Sequence, residues 1–161
     1  MKPQIKSGDW HIIVNDREDR FDSDMQIFES SGKLVHRRPC LAKGQEPNYR
    51  NVGGDTPPGV YKIGLLTITA QNEPKRIWNA YGKYFFDLES VSGAEEKWGR
   101  SGVGIHGGGT SAPDPLAPYQ QLVPTLGCIR MYNADLEKIL LPIYRDCQRS
   151  GGVIYVSVNQ H

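Results

Sequence analysis

Residues 60–69 read Val60-Tyr61-Lys62-Ile63-Gly64-Leu65-Leu66-Thr67-Ile68-Thr69, and this stretch decides the fold class. Its β-branched, aromatic and aliphatic side chains favour an extended strand over a helix. Gly64 interrupts the run, and a glycine inside a strand predicts a β-bulge because it contributes no packed side chain. Residues 43–58 before the strand contain six glycines and prolines, which predicts a loop.

Further strands are predicted on both sides of this run. Residues 10–15 are rich in β-formers, and residues 25–35 predict a hairpin that turns at Gly32. Residues 16–24 between them predict an acidic turn. The remaining interpretations are a strand pair over residues 76–88, a short strand ending at His106, a loop up to Gln121 and a final strand over residues 152–158.

One helix is predicted, from about Ala134 to Arg149, with Asn133 as its N-cap. Pro142 lies inside it and predicts a kink or two shorter helices, and Gly151 ends it. Its apolar side chains recur at helical spacing along one face: Leu136, Ile139, Leu140, Ile143, Tyr144 and Cys147. The sequence therefore predicts a mainly β fold with one packed C-terminal helix.

Composition and charge exclude several classes of function. The chain has 161 residues, with 19 Lys plus Arg against 18 Asp plus Glu, so no broad charge attracts nucleic acid or an anionic membrane. Residues 1–9 lack the apolar run of a signal peptide, and residues 139–143 are far shorter than the ~20 apolar residues of a membrane span. We expect no nucleic-acid partner, no membrane span and, if Met1 is the native start, a cytoplasmic location. The oligomeric state is not indicated.

The three cysteines call for three interpretations, because their spacing matches no paired zinc or redox motif. Cys147 lies on the apolar face of the helix and Cys40 near a strand end, and we expect both to be packed side chains. Cys128 follows Gly127 and precedes Arg130, whose charge favours a thiolate. We predict that Cys128 is a nucleophile and that the amides of Gly127 and Cys128 point at one oxyanion.

His106 is the candidate base for that thiol. It ends a strand and leads directly into three glycines, so we expect its ring to face a loop without crowding side chains. Contact with Cys128, 22 residues later, requires the two segments to lie side by side. Zinc could use the same pair, but zinc sites need three or four protein ligands and no third candidate is near. We predict neither a metal nor a cofactor.

Two segments together resemble the paired signature of the YkuD-type L,D-transpeptidase family: Gly104-Ile105-His106-Gly107 and Thr125-Leu126-Gly127-Cys128-Ile129-Arg130. Thr56-Pro57-Pro58-Gly59-Val60-Tyr61 is similar to the family's segment before a core strand. The resemblance covers residues 8–158 and implies a single catalytic domain, a YkuD-like β-sandwich with a packed helix. Two departures are Leu126, where the family usually has a second histidine, and a slightly longer gap of eighteen residues before Thr125.

The resemblance implies a cysteine L,D-peptidase acting on murein stem peptides. Cys128 would attack the bond after the L-centre of meso-diaminopimelate, D-alanine would leave, and a thioester would form. His106 would be the base, with its second ring nitrogen held by the carbonyl of Gly107. Thr125, Gly127 and Arg130 would lie at the substrate or oxyanion, with Arg130 either contacting substrate or holding the turn. Arg50 and Arg100 are further cations that could meet a carboxylate, although a surface or core position is commoner.

The acceptor decides which reaction follows the thioester. In a cytoplasmic protein the substrates are soluble muropeptides and the abundant acceptor is water. We therefore expect an L,D-carboxypeptidase that trims D-alanine from tetrapeptides in peptidoglycan recycling. Three alternatives stay open: an L,D-transpeptidase that forms cross-links, a wall-targeting toxin, and a non-catalytic murein-binding module.

Overall fold

The computed structural model describes residues 2–17, 23–69, 73–93 and 100–160. Within these ranges eight strands form a single sheet with the order β3-β2-β1-β8-β4-β5-β6-β7. The strands are β1 (Trp10–Asp16), β2 (Ser23–Glu29), β3 (Leu34–Cys40), β4 (Gly59–Ile68), β5 (Tyr84–Gly93), β6 (Gly104–His106), β7 (Ile129–Arg130) and β8 (Ile154–Gln160). The predicted mainly β class is confirmed. The predicted acidic turn falls largely on residues 18–22, outside the described residues.

The core lies between the sheet and the C-terminal helical segment. Alternate residues of β1 and β8 are buried, including Ile12, Val14 and Val156, as expected for strands with one face turned inward. The helical segment packs against them with Leu140 and Cys147, which belong to the same core. Each large aliphatic side chain buried in this way contributes roughly 1.5–3 kcal/mol.

The two ends of the sheet meet each other. Leu41 directly follows β3, at one end of the strand order, and Arg130 belongs to β7, at the other end. The amide of each donates to the carbonyl oxygen of the other at 2.9 Å. The sheet therefore curls around the core and closes on itself, which is consistent with the expected β-sandwich.

The predicted bulge and hairpin are confirmed. The register of β4 against β5 shifts between Ile63 and Leu66, around Gly64. β2 and β3 form an antiparallel pair, and Gly32 has a φ of 88° in the turn between them, where a side chain would be strained. The final strand begins later and extends further than predicted, at Ile154–Gln160.

The prediction of a strand pair over residues 76–88 is wrong for its first strand, whereas its second strand is present as the start of β5. A helix, α1 (Lys75–Tyr81), precedes β5. Pro74 stands immediately before the first turn, and Gly82, with a φ of 71°, ends the helix and donates its amide to the carbonyl of Trp78. The β-forming side chains of this segment suggested a strand, but the proline and glycine at its two ends favour a short helix.

The C-terminal helical segment is confirmed, with one correction. It consists of α2 (Asn133–Asp135), a π-helical turn (Leu136–Leu140) and α3 (Leu141–Ser150). Pro142 is the second residue of α3 and has no N–H to donate to the preceding turn, and the π-helical turn lies directly before α3, in keeping with the predicted interruption. Asn133 is not the N-cap; Tyr132 takes that position, because the Asn133 side chain is used elsewhere. Every helix in the described ranges is too short or too polar to span a bilayer.

Candidate active site

Two short parallel strands bring the predicted catalytic pair together. β6 and β7 are paired so that Ile105 lies beside Ile129 and His106 beside Arg130. Side chains alternate between the faces of a sheet. The two isoleucines are therefore buried on one face, while His106, Arg130 and Cys128 share the other. The predicted side-by-side placement of the two segments is confirmed.

These three side chains line one cavity of about 920 Å³. α1 and β5 contribute apolar and aromatic groups to its wall. The end of β4 and the loops before β4, before β6, after β6 and before β7 contribute the rest. The remaining lining residues are Gln45, Val52, Thr67, Thr69, Ile77, Ala80, Tyr81, Phe85, Arg100, Ser101, Gly102, Thr110, Ser111, Val123, Pro124, Thr125 and Leu126. The cavity thus combines apolar walls with a few polar groups, as ligand sites commonly do.

The ring of His106 is enclosed by aromatic side chains. Phe85 stacks on it with the ring centroids 5.5 Å apart, and Tyr81 meets it edge-on at 5.1 Å. The side chain of His106 is only 2% exposed. The expectation of an uncrowded ring is therefore wrong, because the register of β5 places Phe85 directly beside His106.

The carbonyl of Gly107 fixes the tautomer of His106. Nδ1 lies 2.8 Å from this oxygen. A carbonyl can only accept, so Nδ1 carries the hydrogen and Nε2 presents a lone pair. The contact with Gly107 that the family resemblance implied is therefore present.

Burial lowers the pKa of His106 to about 3, and the positive charge of Arg130 contributes in the same direction. The hydrogen bond to Gly107 acts in the opposite direction and is outweighed. At neutral pH the imidazole is therefore uncharged. It can accept a proton at Nε2, as a general base must.

The thiol of Cys128 is also neutral at rest. Burial raises its pKa above the usual value, while a hydrogen bond with the backbone of Gly104 and the charges of Arg130 and Arg100 lower it. Sγ donates to the carbonyl oxygen of Gly102 at 3.5 Å. Arg130 thus favours the thiolate, as predicted, but burial has the larger effect. The other two cysteines, Cys40 and Cys147, are buried as expected.

Arg130 holds the protein backbone around the site. Its Nε donates to the carbonyl of Val123 at 2.7 Å, and its Nη1 donates to Gly107 at 2.6 Å and to Ala80 at 3.2 Å. The residue is 4% exposed, and burial lowers its pKa to about 10, which leaves it charged at neutral pH. Of the two roles considered for Arg130, these contacts support holding the turn rather than contacting substrate.

Two threonine hydroxyls fix the turn that carries Cys128. Thr125 Oγ1 accepts from the amide of Gly127 at 2.9 Å and donates to the carbonyl of Cys128 at 2.8 Å. Thr56 Oγ1 donates to the carbonyl of Gly127 at 2.8 Å. The prediction that the Gly127 amide points at an oxyanion is wrong, because Thr125 occupies it. Of the two predicted amides, that of Cys128 remains the candidate hydrogen-bond donor to the oxyanion.

Several contributors to the site have no clear signal in the sequence. Tyr81 and Phe85 reach His106 through α1 and β5, and their role depends on strand register. Thr56 lies in the segment that resembled the family, which could have identified it. The catalytic roles of Cys128 and His106 stay predictions, and the structure places both residues at the same cavity.

Comparison with known proteins identifies the family. The family model of the L,D-transpeptidase catalytic domain, YkuD, matches residues 9–141. The helical cell shape determining protein Pgp2 from Campylobacter jejuni shares the fold, with 18% identity, a TM-score of 0.55, and coverage of 94% of this chain and 48% of that chain. Bd1075 from Bdellovibrio bacteriovorus also shares it, with 18% identity, a TM-score of 0.56, and coverage of 93% and 47%. The chain spans about half the length of these structures. No curated protein matches its sequence.

Proposed function

This chain belongs to the L,D-transpeptidase catalytic domain family, and from that premise we propose that it is a cysteine L,D-carboxypeptidase. Family membership supports a cysteine enzyme of the L,D-transpeptidase type in peptidoglycan-related catalysis. The substrate of the proposed reaction is a murein tetrapeptide, and the product is the tripeptide plus D-alanine. The observation that carries the proposal is that Cys128 and His106, on adjacent segments, line one cavity.

In the first half of the reaction, the sulfur of Cys128 attacks the carbonyl carbon between meso-diaminopimelate and D-alanine. His106 Nε2 takes the thiol proton as the carbon–sulfur bond forms. The amide of Cys128 stabilises the negative oxygen of the tetrahedral intermediate. When the carbon–nitrogen bond breaks, His106 returns the proton to the amine of D-alanine, and a thioester is left on Cys128.

In the second half, water cleaves the thioester. Nε2 of His106, which is again unprotonated, removes a proton from the water as its oxygen attacks the acyl carbon. The carbon–sulfur bond breaks, the proton returns to the sulfur, and the tripeptide leaves as an acid. Because thiol and imidazole both rest uncharged, proton transfer accompanies attack in each half, and no preformed ion pair is needed.

The charges around the cavity support water as the acceptor. In the described part of the chain, both ionised side chains that line the cavity are arginines, Arg100 and Arg130. Their positive potential favours a substrate with free carboxylates and opposes the approach of an ammonium group from a second stem peptide. Water carries no charge and meets no such barrier.

The proposal extends to the biological setting. Cys40, Cys128 and Cys147 are all free thiols, which suits a reducing compartment, and we place the enzyme in the cytoplasm acting on soluble peptides from peptidoglycan turnover. The structural relative from Campylobacter jejuni is a cell shape protein, and a role in trimming wall peptides is in keeping with that likeness.

The test uses purified protein with free tetrapeptide and, separately, with disaccharide-linked tetrapeptide. The expected result is release of D-alanine and formation of the tripeptide. Cross-linked dimers without tripeptide would show a transpeptidase instead. Binding of the tetrapeptide with neither product would reject an enzyme in favour of a murein-binding module.

A further inference from the structure

Arg100 is a buried arginine that lies outside both motifs of the family resemblance. It is 5% exposed, and its two Nη atoms donate four hydrogen bonds to main-chain carbonyls. Nη1 donates to Tyr49 at 2.5 Å and to Asp55 at 3.1 Å. Nη2 donates to Gly54 and to Leu126, each at 3.2 Å. These four bonds account for the four Nη hydrogens of an arginine.

These bonds join two loops at the wall of the cavity. Tyr49, Gly54 and Asp55 belong to the loop before β4, whereas Leu126 belongs to the turn that carries Cys128. The same loop donates the Thr56 hydroxyl to the carbonyl of Gly127. Arg100 therefore fixes the nucleophile turn to a part of the chain that is remote in sequence.

The packing at Gly127 shows how closely the guanidinium approaches the turn. A Cβ at this position would lie 1.9 Å from Nη2 of Arg100. Gly127 also has a φ of 120°, a conformation that side chains rarely adopt. The turn can hold this shape beside Arg100 only with glycine before the cysteine.

We propose that Arg100 is a positioning residue for Cys128: by holding the carbonyl of Leu126, it sets the orientation of the turn and aims Sγ and the amide of Cys128 at the scissile carbonyl. The inference deepens the proposed function and rests on it. The two buried arginines then position different groups. Arg130 holds the carbonyl that orients His106, and Arg100 holds the turn that carries Cys128. The charge of Arg100 also lowers the pKa of Cys128.

The competing role for Arg100 is binding of a substrate carboxylate. An arginine with that role must offer Nη hydrogens to the ligand, whereas those of Arg100 are committed to the protein. A substrate-binding arginine affects mainly KM, and a residue that positions the nucleophile affects mainly kcat. The two roles are therefore separable by kinetics.

The experiment compares Arg100→Gln and Arg100→Lys with wild type and with Arg145→Gln, which removes an exposed charge on α3. Two readouts are used: the pH dependence of Cys128 alkylation by iodoacetamide, located by peptide mass spectrometry, and kcat and KM for tetrapeptide hydrolysis. Far-UV circular dichroism and thermal melting establish that each variant is folded.

We expect Arg100→Gln to move the alkylation midpoint of Cys128 to higher pH and to lower kcat by about 100-fold, the scale of a small misplacement of a reacting group, with little change in KM. Arg100→Lys keeps the charge and the midpoint but lowers kcat, because an ammonium cannot reproduce the bonds to four carbonyls. Arg145→Gln leaves both readouts unchanged.

If Arg100→Gln raises KM and leaves kcat unchanged, Arg100 binds substrate and the proposal is wrong. An unchanged kcat in folded Arg100→Lys would also contradict the proposal. If Arg100→Gln fails to fold, Arg100→Lys decides. If wild type does not hydrolyse tetrapeptide, the proposed function fails separately. The rate of Cys128 alkylation in the folded Arg100→Lys variant then decides, because lysine keeps the charge and loses only the hydrogen-bond geometry. A wild-type rate would overturn the positioning role.

Discussion

Nη1 of Arg130 donates a 2.6 Å hydrogen bond to the carbonyl oxygen of Gly107. The same oxygen lies 2.8 Å from Nδ1 of His106. One oxygen therefore links the buried guanidinium to the base, and the orientation of His106 depends on Arg130 although the two side chains need not touch.

Replacement of Arg130 by lysine should impair both stability and catalysis. Lysine offers one compact charge and cannot reach the carbonyls of Gly107 and Val123 together. We expect the free energy of unfolding to fall by about 2–4 kcal/mol, since a buried hydrogen bond to a charged group contributes roughly 1.5–3 kcal/mol. We also expect kcat to fall by about 10–100-fold. Urea unfolding and tetrapeptide hydrolysis measure the two effects.

Arg145→Lys is the matched control, because Arg145 is exposed on α3. It should leave both quantities unchanged. A wild-type kcat in Arg130→Lys would mean that the Gly107 carbonyl orients His106 without help.

Replacement of Cys128 by alanine should abolish hydrolysis, with a loss of roughly a thousandfold or more, as for other catalytic nucleophiles. Cys147→Ala is the control, because Cys147 is a buried thiol on the core-facing side of α3, 4% exposed, and does not line the cavity. It should lower stability slightly and preserve kcat. D-alanine release by Cys128→Ala at the wild-type rate would rule out the thioester route.

The acid limb of kcat/KM should lie well below pH 6.5. Burial lowers the pKa of His106 to about 3, so the imidazole stays unprotonated in acid that would protonate an ordinary histidine. The assay covers pH 4 to 8, with circular dichroism at each pH to confirm that the protein is folded. A limb centred near the ordinary histidine value would show that the working imidazole is exposed to solvent.

The same shift makes stability depend on pH. Between pH 6.5 and about 3 the unfolded chain protonates His106 and the folded chain does not, so protons favour the unfolded state. The free energy of unfolding should therefore fall as the pH drops through this window. His106→Gln should show a shallower fall in urea titrations at pH 7, 5.5 and 4, and equal slopes for the two proteins would contradict the lowered pKa.

Gly104→Ala should damage the site, whereas Gly64→Ala should be tolerated. A Cβ on Gly104 would lie 2.5 Å from the ring of Phe85 and 2.8 Å from the carbonyl oxygen of Phe86, and Phe85 stacks on His106. The three atoms nearest to a Cβ on Gly64 all belong to the side chain of Glu89, which can move away. Thermal melting and kcat of the two variants test the difference, and equal behaviour would show that Phe85 relaxes freely.

Local sequence was sufficient for much of the sheet. β4 with its bulge at Gly64 and the hairpin at Gly32 follow from β-forming side chains and from glycines at positions that need them. α1 was missed because Ile77, Trp78 and Tyr81 also suit a strand. The choice there depends on Pro74 and Gly82 at the ends of the segment, which outweigh a weak preference over seven residues.

Some features of the candidate site were also predictable from local sequence, whereas others were not. Cys128 and His106 were predictable from residue type and motif, because their chemistry requires those residues. The enclosure of His106 by Phe85 depends on the register of β5 against β6, and the contacts of Arg100 depend on how remote loops meet. Neither relationship is encoded in short-range sequence, so both required the folded structure.

The most direct measurement is intact-protein mass spectrometry after rapid acid quench of the enzyme mixed with tetrapeptide. The expected species carries the added mass of the tetrapeptide less D-alanine, located on Cys128 by peptide mapping and missing from Cys128→Ala. His106→Gln should accumulate it far more slowly. Continued release of D-alanine with unmodified Cys128 at every quench time, or an adduct on another residue, would contradict a thioester formed by this cysteine.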